Sequence, residues 1–292
     1  MLAWLWVFLA IIVGIVLLDV VLRLFLDGST DVEVVEGNRH DVLIVYLPGI
    51  LARGDTSSQE LIDTWQRYGD VMLVSYKGNR FKSNRIAEDV ALAITSQGNI
   101  YEKIVFIGSS MGGKLAQNVY IRMNLLDRPK CMLIAIDAPT CRADFQPPLD
   151  KISLGAWVWW AGPISNLFSK LYFNTTFVEP KEENIEDGVD RERLAAVVKE
   201  AKSFPLSWSM DQNRFIMRDN VSHIDSLKAL SVVYVRSTRD HDTVRPEAFN
   251  HWSTATTIIQ RVEVDSTHVG YNERPETWRR AFVEDIFPNL DL

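Results

Sequence analysis

Six residues in a row, Val42-Leu43-Ile44-Val45-Tyr46-Leu47, carry no charge and stop at Pro48-Gly49. A run this short and this apolar suits a strand covered on both faces; a strand with one wet face would alternate instead. The same signature recurs along the chain, each time separated by a stretch of helical spacing. Val71 to Tyr76, Lys103 to Ile107 and Met132 to Ile136 read as strands. Between them Leu61 to Tyr68, Ile86 to Ile94 and Gly112 to Leu126 read as helices, the last with Leu115, Val119 and Met123 on one face. Strand and helix in alternation, with short breaks, predict an α/β fold: a mostly parallel sheet flanked by helices.

The rhythm breaks between Cys141 and about Asp225. This stretch holds Trp157, Trp159, Trp160, Phe168, Leu171, Tyr172 and Phe173, an acidic patch from Lys181 to Asp190 and a helical pattern from Arg191 to Lys202. It reads as an insertion, after which the alternation resumes with Val232 to Val235, Ile258 to Val264 and a closing helix from Pro275 to Ile286. Polar residues 27–40 read as a linker.

Ahead of that linker, Met1 to Leu18 contains no charged side chain, and the apolar character continues through Leu26 apart from Asp19 and Arg23. About 18 residues at about 1.5 Å each approach the thickness of a bilayer core. No basic start and no cleavage site mark a signal peptide. Residues 1–26 are therefore expected to be an uncleaved single-pass membrane anchor. Arg23 and Arg39 follow the apolar run and no Lys or Arg precedes it, which tilts the orientation toward a cytoplasmic main domain.

Net charge is −7, with no basic run, so a nucleic-acid partner is not expected. Cys131 and Cys141 flank a strand that would hold them apart, so no disulfide is expected. No CxxC, HxxxH or HExxH spacing is present among two Cys and five His, and neither a metal nor a cofactor is expected.

One motif carries chemistry. Gly108-Ser109-Ser110-Met111-Gly112 is a G-x-S-x-G that follows a strand and opens a helix. So tight a reversal leaves no room for side chains two positions either side of Ser110, which is where the glycines stand. The turn would present Ser110 Oγ above the sheet edge and aim the Met111 N–H at the place where an oxyanion forms.

With these residues the chain resembles the α/β-hydrolase superfamily over roughly Asp41 to Phe287, with the stretch at about 142–225 resembling a cap. The resemblance implies a nucleophile, an acid and a histidine in that chain order. Ser110 is the nucleophile, and His268, in Ser-Thr-His-Val-Gly-Tyr after the last strand, is the base. Counted from the strand Val232 to Arg236, the acid falls on Asp240; counted back from Val244 and Pro246, Asp242 fits as well. Asp240 is preferred because the strand fixes how far a loop residue reaches. Leu47-Pro48-Gly49-Ile50 stands where the superfamily keeps its oxyanion loop, which implies a second donor at the Ile50 N–H.

The expectation is a membrane-anchored serine hydrolase of an ester or related acyl bond in a small acyl or lipid-like molecule, working without a cofactor. An acyltransferase with the same triad, or a non-catalytic binding protein on this scaffold, are the alternatives.

Overall fold

The computed structural model describes residues 6–11, 28–50, 59–78, 80–97, 101–123, 130–146, 206–217, 227–240, 243–268 and 274–290, with single positions and pairs elsewhere. Seven strands form one sheet: β1 (Gly28–Val35), β2 (Val42–Leu47), β3 (Asp70–Gly78), β4 (Lys103–Ser109), β5 (Lys130–Ile136), β6 (Ser231–Ser237) and β7 (Thr257–Val264). Their order across the sheet is β1-β3-β2-β4-β5-β6-β7. Every neighbouring pair is parallel except β1 with β3. Around them lie the helices α1 (Gln59–Trp65), α2 (Ser83–Ser96), α3 (Met111–Arg122), α4 (Leu206–Met217), α5 (Ala248–Ala255) and α6 (Pro275–Arg280).

Period-2 alternation splits the strands' apolar residues between two cores. Leu43, Val45, Phe106, Leu133 and Val232 face one side with Val90 of α2, Leu115 of α3, Trp208 of α4 and Trp252 of α5. Ile44, Val105, Ile107, Ile134 and Val233 face the other with Ile62 and Trp65 of α1 and Trp278 of α6. All six residues of β2 are buried, which is why that strand reads as unbroken apolar sequence. The parallel strands end along one edge of the sheet, where ligands of such folds collect.

Two buried cations tie α4 to this body. Lys114 of α3 donates to the Ile216 carbonyl at 2.9 Å, and Arg80 grips Asp211 through two hydrogen bonds of 2.6 and 2.7 Å. The closing helix is shorter than expected. It gives way at Ala281 to a wide π-type turn over Ala281–Ile286 that keeps Phe282 and Ile286 in the core.

The start of the chain departs from expectation twice. Residues 27–40 are not simply a linker, because Gly28–Val35 is a strand paired antiparallel with β3 from Gly28↔Gly78 to Val35↔Val71. Its polar composition hides the alternation of Asp31 and Glu33 with Val32 and Val34. The pattern suits an edge strand, and the carboxylates blunt the edge it leaves. The membrane anchor over residues 1–26 is overturned: no helix among the described residues is long and apolar enough to cross a membrane. A span needs about 20 consecutive apolar residues, and the charge-free run stops at Leu18, before Asp19. The cytoplasmic orientation inferred from Arg23 and Arg39 lapses with the anchor. The described positions there, among them Trp4, Trp6 and Phe8, are helical and exposed. The Trp-rich segment and the acidic patch of the insertion lie outside the described residues.

A chain shortened to begin at Gly28 is expected to unfold cooperatively with the stability of the full chain. One that begins at Gly37 lacks β1 and bares the edge of β3. It should lose on the order of 3 kcal/mol or more, at about 0.5–1.5 kcal/mol for each ladder hydrogen bond, and should self-associate through the open edge. Urea denaturation and size-exclusion chromatography of the two chains check this; equal stability would remove β1 from the sheet's energetics.

Candidate active site

The turn between β4 and α3 is the most constrained point of the sheet edge. Ser110 sits at φ 49° and ψ −117°, a left-sided backbone conformation that costs a non-glycine residue about 1–3 kcal/mol. Its N–H donates to the Ile136 carbonyl at 2.7 Å, and its own carbonyl accepts the Gly113 N–H at 3.1 Å. A Cβ at Gly112 would stand 2.0 Å from the Leu47 carbonyl oxygen, and one at Gly108 would stand 2.5 Å from the Gly113 Cα. The two motif glycines are thus required by contact with β2 and with the opposite limb of the turn.

Three loops bring the remaining residues to Ser110. His268, four residues beyond the end of β7, places Nε2 3.1 Å from Ser110 Oγ and Nδ1 2.8 Å from Asp240 Oδ2. Asp240, three residues beyond the end of β6, is buried. It accepts the Thr243 N–H on Oδ1 at 3.0 Å and the Val244 N–H on Oδ2 at 3.1 Å. The acid and base loops are tied to each other. The Arg239 guanidinium makes two bonds of 2.6 Å to Asp265, the Arg239 N–H donates to the Ser266 carbonyl, and the Thr238 N–H to that of Val264. Behind the acid loop, the strand-like bridge Phe145↔Val244 and the bonds from Gln146 N–H to Thr243 O and Arg245 N–H to Asp144 O hold it against the chain leaving β5.

On the other side of Ser110 runs the Pro48-Gly49-Ile50 turn. A Cβ on Gly49 would approach Ser110 Cβ to 3.3 Å, so this backbone passes directly beside the serine. The Tyr76 hydroxyl anchors the turn by donating to the Pro48 carbonyl at 3.1 Å. The Met111 amide is the first of α3, among the helix amides that have no acceptor within the helix. The sequence-derived residues Ser110, Met111, Ile50, Asp240 and His268 therefore stand at one edge of the sheet; Asp242 lies outside the described residues.

The sequence reading missed Asp137. This residue directly follows β5, has φ 44°, and is fully buried. It accepts the Ser237 N–H at 2.7 Å and the Ser237 hydroxyl at 2.6 Å, and its Oδ2 lies 4.0 Å from His268 Nδ1. The signal available was an Asp closing the apolar run Met132 to Ile136, one strand earlier than the acid was sought. The two carboxyls near the imidazole are shifted in opposite directions. Burial pushes Asp137 up from the ordinary value of 3.8, reinforced by the nearby Asp240 and not offset by His268 or the Ser237 bonds. Burial also pushes Asp240 up, but there the charge and hydrogen bond of His268 and the amides of Val244 and Thr243 outweigh it and bring the group below 3.8. Asp137, Asp240 and His268 offer ligand atoms within 4.8 Å of one another, atoms that these hydrogen bonds already engage.

No family model matches the chain, and no curated protein matches it in sequence. Solved structures do. A hydrolase from Pseudomonas aeruginosa superposes with a TM-score of 0.63 at 14% identity, over 92% of this chain and 99% of that one. An esterase from Exiguobacterium antarcticum gives 0.61 at 13% identity, over 89% and 96%. A thermophilic esterase from Thermogutta terrifontis gives 0.60 at 14%, over 90% and 94%. The chain has the α/β-hydrolase fold. At these identities the likeness defines the architecture and leaves the chemistry to the residues of this chain.

The opposed shifts have a measurable sign. Asp137, raised in the folded state, loses its proton first in the unfolded chain, so wild-type stability falls as pH rises from about 3.8 through the raised value. Asp137→Asn removes that dependence, and its stability relative to wild type should climb over the same window. Asp240, lowered, contributes stability that is present above 3.8 and lost as pH falls through its folded value, so Asp240→Asn should change relative stability only on the acid side. Urea titrations between pH 2.5 and 8 read both curves; a flat Asp137→Asn difference means its carboxyl is not held protonated.

Proposed function

We propose that the protein is a serine hydrolase that cleaves a carboxylic ester or related acyl bond of a small acyl or lipid-like molecule. The observation that carries this reading is the continuous contact Asp240–His268–Ser110 ending on a serine whose backbone is strained. His268 Nε2 takes the hydroxyl proton as Ser110 Oγ attacks the carbonyl carbon; Asp240 fixes Nδ1 as the protonated nitrogen and stabilises the imidazolium. The Met111 and Ile50 amides receive the charge on the carbonyl oxygen. His268 then returns its proton to the leaving oxygen, and water, deprotonated by the same nitrogen, releases the acyl group from Ser110.

Asp137 has a different part. Held by Ser237 at 4.0 Å from Nδ1, it is too distant to orient the ring, and the burial that pushes its carboxyl up disfavours a second charge beside an imidazolium paired with Asp240. The insertion at about 142–225 leaves the sheet beside this edge. Its Trp-rich stretch, Ala156 to Phe173, is taken as a cap over the acyl group, and residues 41–292 as one hydrolase domain extended by β1. Transfer to an alcohol or amine uses the same residues; retention of the strained serine and both its partners speaks against a purely binding role.

Fluorophosphonate labelling and hydrolysis of p-nitrophenyl esters of increasing chain length test the reading. Ser110→Ala should abolish labelling and lower kcat by on the order of 10⁴ or more, with Ser109→Ala as the active control. Persistent labelling of Ser110→Ala would displace the nucleophile.

The two carboxylates separate in the same assay. Asp240→Asn should cost about 10⁴ in kcat by favouring the wrong imidazole tautomer, and Asp137→Asn, which keeps the side chain's size 4.0 Å from the ring nitrogen, under about tenfold. The reverse order moves the acid to Asp137.

A further inference from the structure

Away from the serine, side chains able to hold a metal converge where the chain leaves β5. Cys141, Asp144 and His251 bring a sulfur, a carboxylate oxygen and an imidazole nitrogen within 4.8 Å of one another. Cys141 Sγ lies 3.8 Å from His251 Nδ1, and Asp144 Oδ1 is hydrogen-bonded to the same nitrogen. Asp144 is buried, and its second oxygen is fixed by the Thr140 N–H at 2.6 Å, the Thr140 hydroxyl at 2.9 Å and the Cys141 N–H at 3.2 Å. His251 belongs to α5, whose Trp252 is pinned by its Nε1–H to the Ala138 carbonyl at 2.6 Å. Two rigid pieces, the turn after β5 and α5, thus present the donors, while the His251 side chain remains 47% exposed and open to an arriving ion.

We propose that Cys141, Asp144 and His251 form a binding site for a zinc-like divalent metal ion, distinct from the serine site. Tetrahedral zinc, with bonds of about 2.3 Å to sulfur and about 2.0–2.1 Å to nitrogen or oxygen, sets its ligand atoms about 3.3–3.6 Å apart. The sulfur–nitrogen separation of 3.8 Å is a little wider than that spacing and the contact with Asp144 tighter, and a modest rotation of the exposed imidazole closes the first while it opens the second. Thiolate and imidazole select zinc over magnesium or calcium, which require cages of oxygen. The bonds to the outer oxygen of Asp144 are of the kind that orient a ligating carboxylate. On binding, Cys141 releases its thiol proton, and His251 carries its proton on Nε2 so that Nδ1 can coordinate. A fourth position is left for water. The backbone carbonyl of Asp144 accepts the Arg245 N–H at 2.6 Å, so an ion here stiffens the bridge behind the loop that carries Asp240.

The test uses the full chain freed of metal. Co²⁺ is expected to bind at one equivalent with a near-ultraviolet sulfur-to-cobalt band and the visible bands of a tetrahedral ion, and Zn²⁺ to displace it. Cys141→Ser should lose the sulfur band. His251→Gln should weaken Zn²⁺ binding by more than the roughly 100-fold that loss of an outer-shell partner costs. Cys131→Ser, altering a buried thiol outside the cluster, should change neither. Independently of any substitution, Zn²⁺ should slow alkylation of wild-type Cys141 by iodoacetamide at least tenfold, read on its tryptic peptide. Absence of one-equivalent binding, a cobalt spectrum without the sulfur band, a band that survives Cys141→Ser, or alkylation indifferent to Zn²⁺ would each overturn the site. None of these readouts depends on Ser110 being reactive.

Discussion

The carbonyl oxygen of Leu47 leaves no space for a side chain at position 112, and much else follows from that contact. It lets the start of α3 lie against the end of β2, which brings the Met111 amide and the Pro48-Gly49-Ile50 turn together beside Ser110. The closeness of the two segments forces the backbone of Ser110 into its strained conformation, and hydrogen bonds to Ile136 and Gly113 maintain it. Backbone strain at a serine persists only where the surroundings over-determine it. Here the two sides of the sheet supply that constraint, since β4 lies between β2 and β5 in the middle of the strand order.

The parts of this architecture written in runs of neighbouring residues were legible before any coordinates. β2, β4 and β5 are buried on both faces and announce themselves as apolar runs, and the glycines flanking Ser110 carry their reason in their positions. Asp240 could be preferred over Asp242 because the end of β6 limits reach, and the hydrogen bond to His268 falls on Asp240. β1 was obscured because an edge strand with acidic residues on its wet face has the composition of a linker. The apolar first residues suggested a span because a charge-free run of about 18 residues comes close to the length a bilayer needs and stops short of it at Asp19. Asp137 and the Cys141–Asp144–His251 cluster escaped for a further reason. Their meaning lies in partners 100 to 110 residues away, which local spacing does not encode.

Two carboxyl groups near one imidazole present an electrostatic problem that the fold resolves by unequal solvation of charge. Asp240 receives two backbone N–H groups and the close approach of Nδ1, so its charge is compensated on several sides. Asp137 receives the two donors of Ser237 and lies deeper. Like charges this near each other in a buried setting repel, which adds to the burial that raises Asp137 while the compensated Asp240 is lowered. Division of labour between like groups thus arises from backbone amides: the loop that follows Asp240 turns its N–H groups inward.

The bonds joining the acid loop to the base loop divide the site mechanically. Arg239 and Thr238 link the loop after β6 directly to Asp265, Ser266 and Val264, so Asp240 and His268 ride on one rigid rocker, while Ser110 is mounted separately on the β4–α3 turn. Thermal motion of the rocker therefore leaves the 2.8 Å contact between acid and base almost unchanged and falls on the 3.1 Å gap between His268 and the serine. Under the proposed mechanism, proton transfer across that gap is the step that loop motion tunes. The tautomer of the imidazole is insulated from it, and a push on the rocker acts as a throttle on nucleophile activation alone.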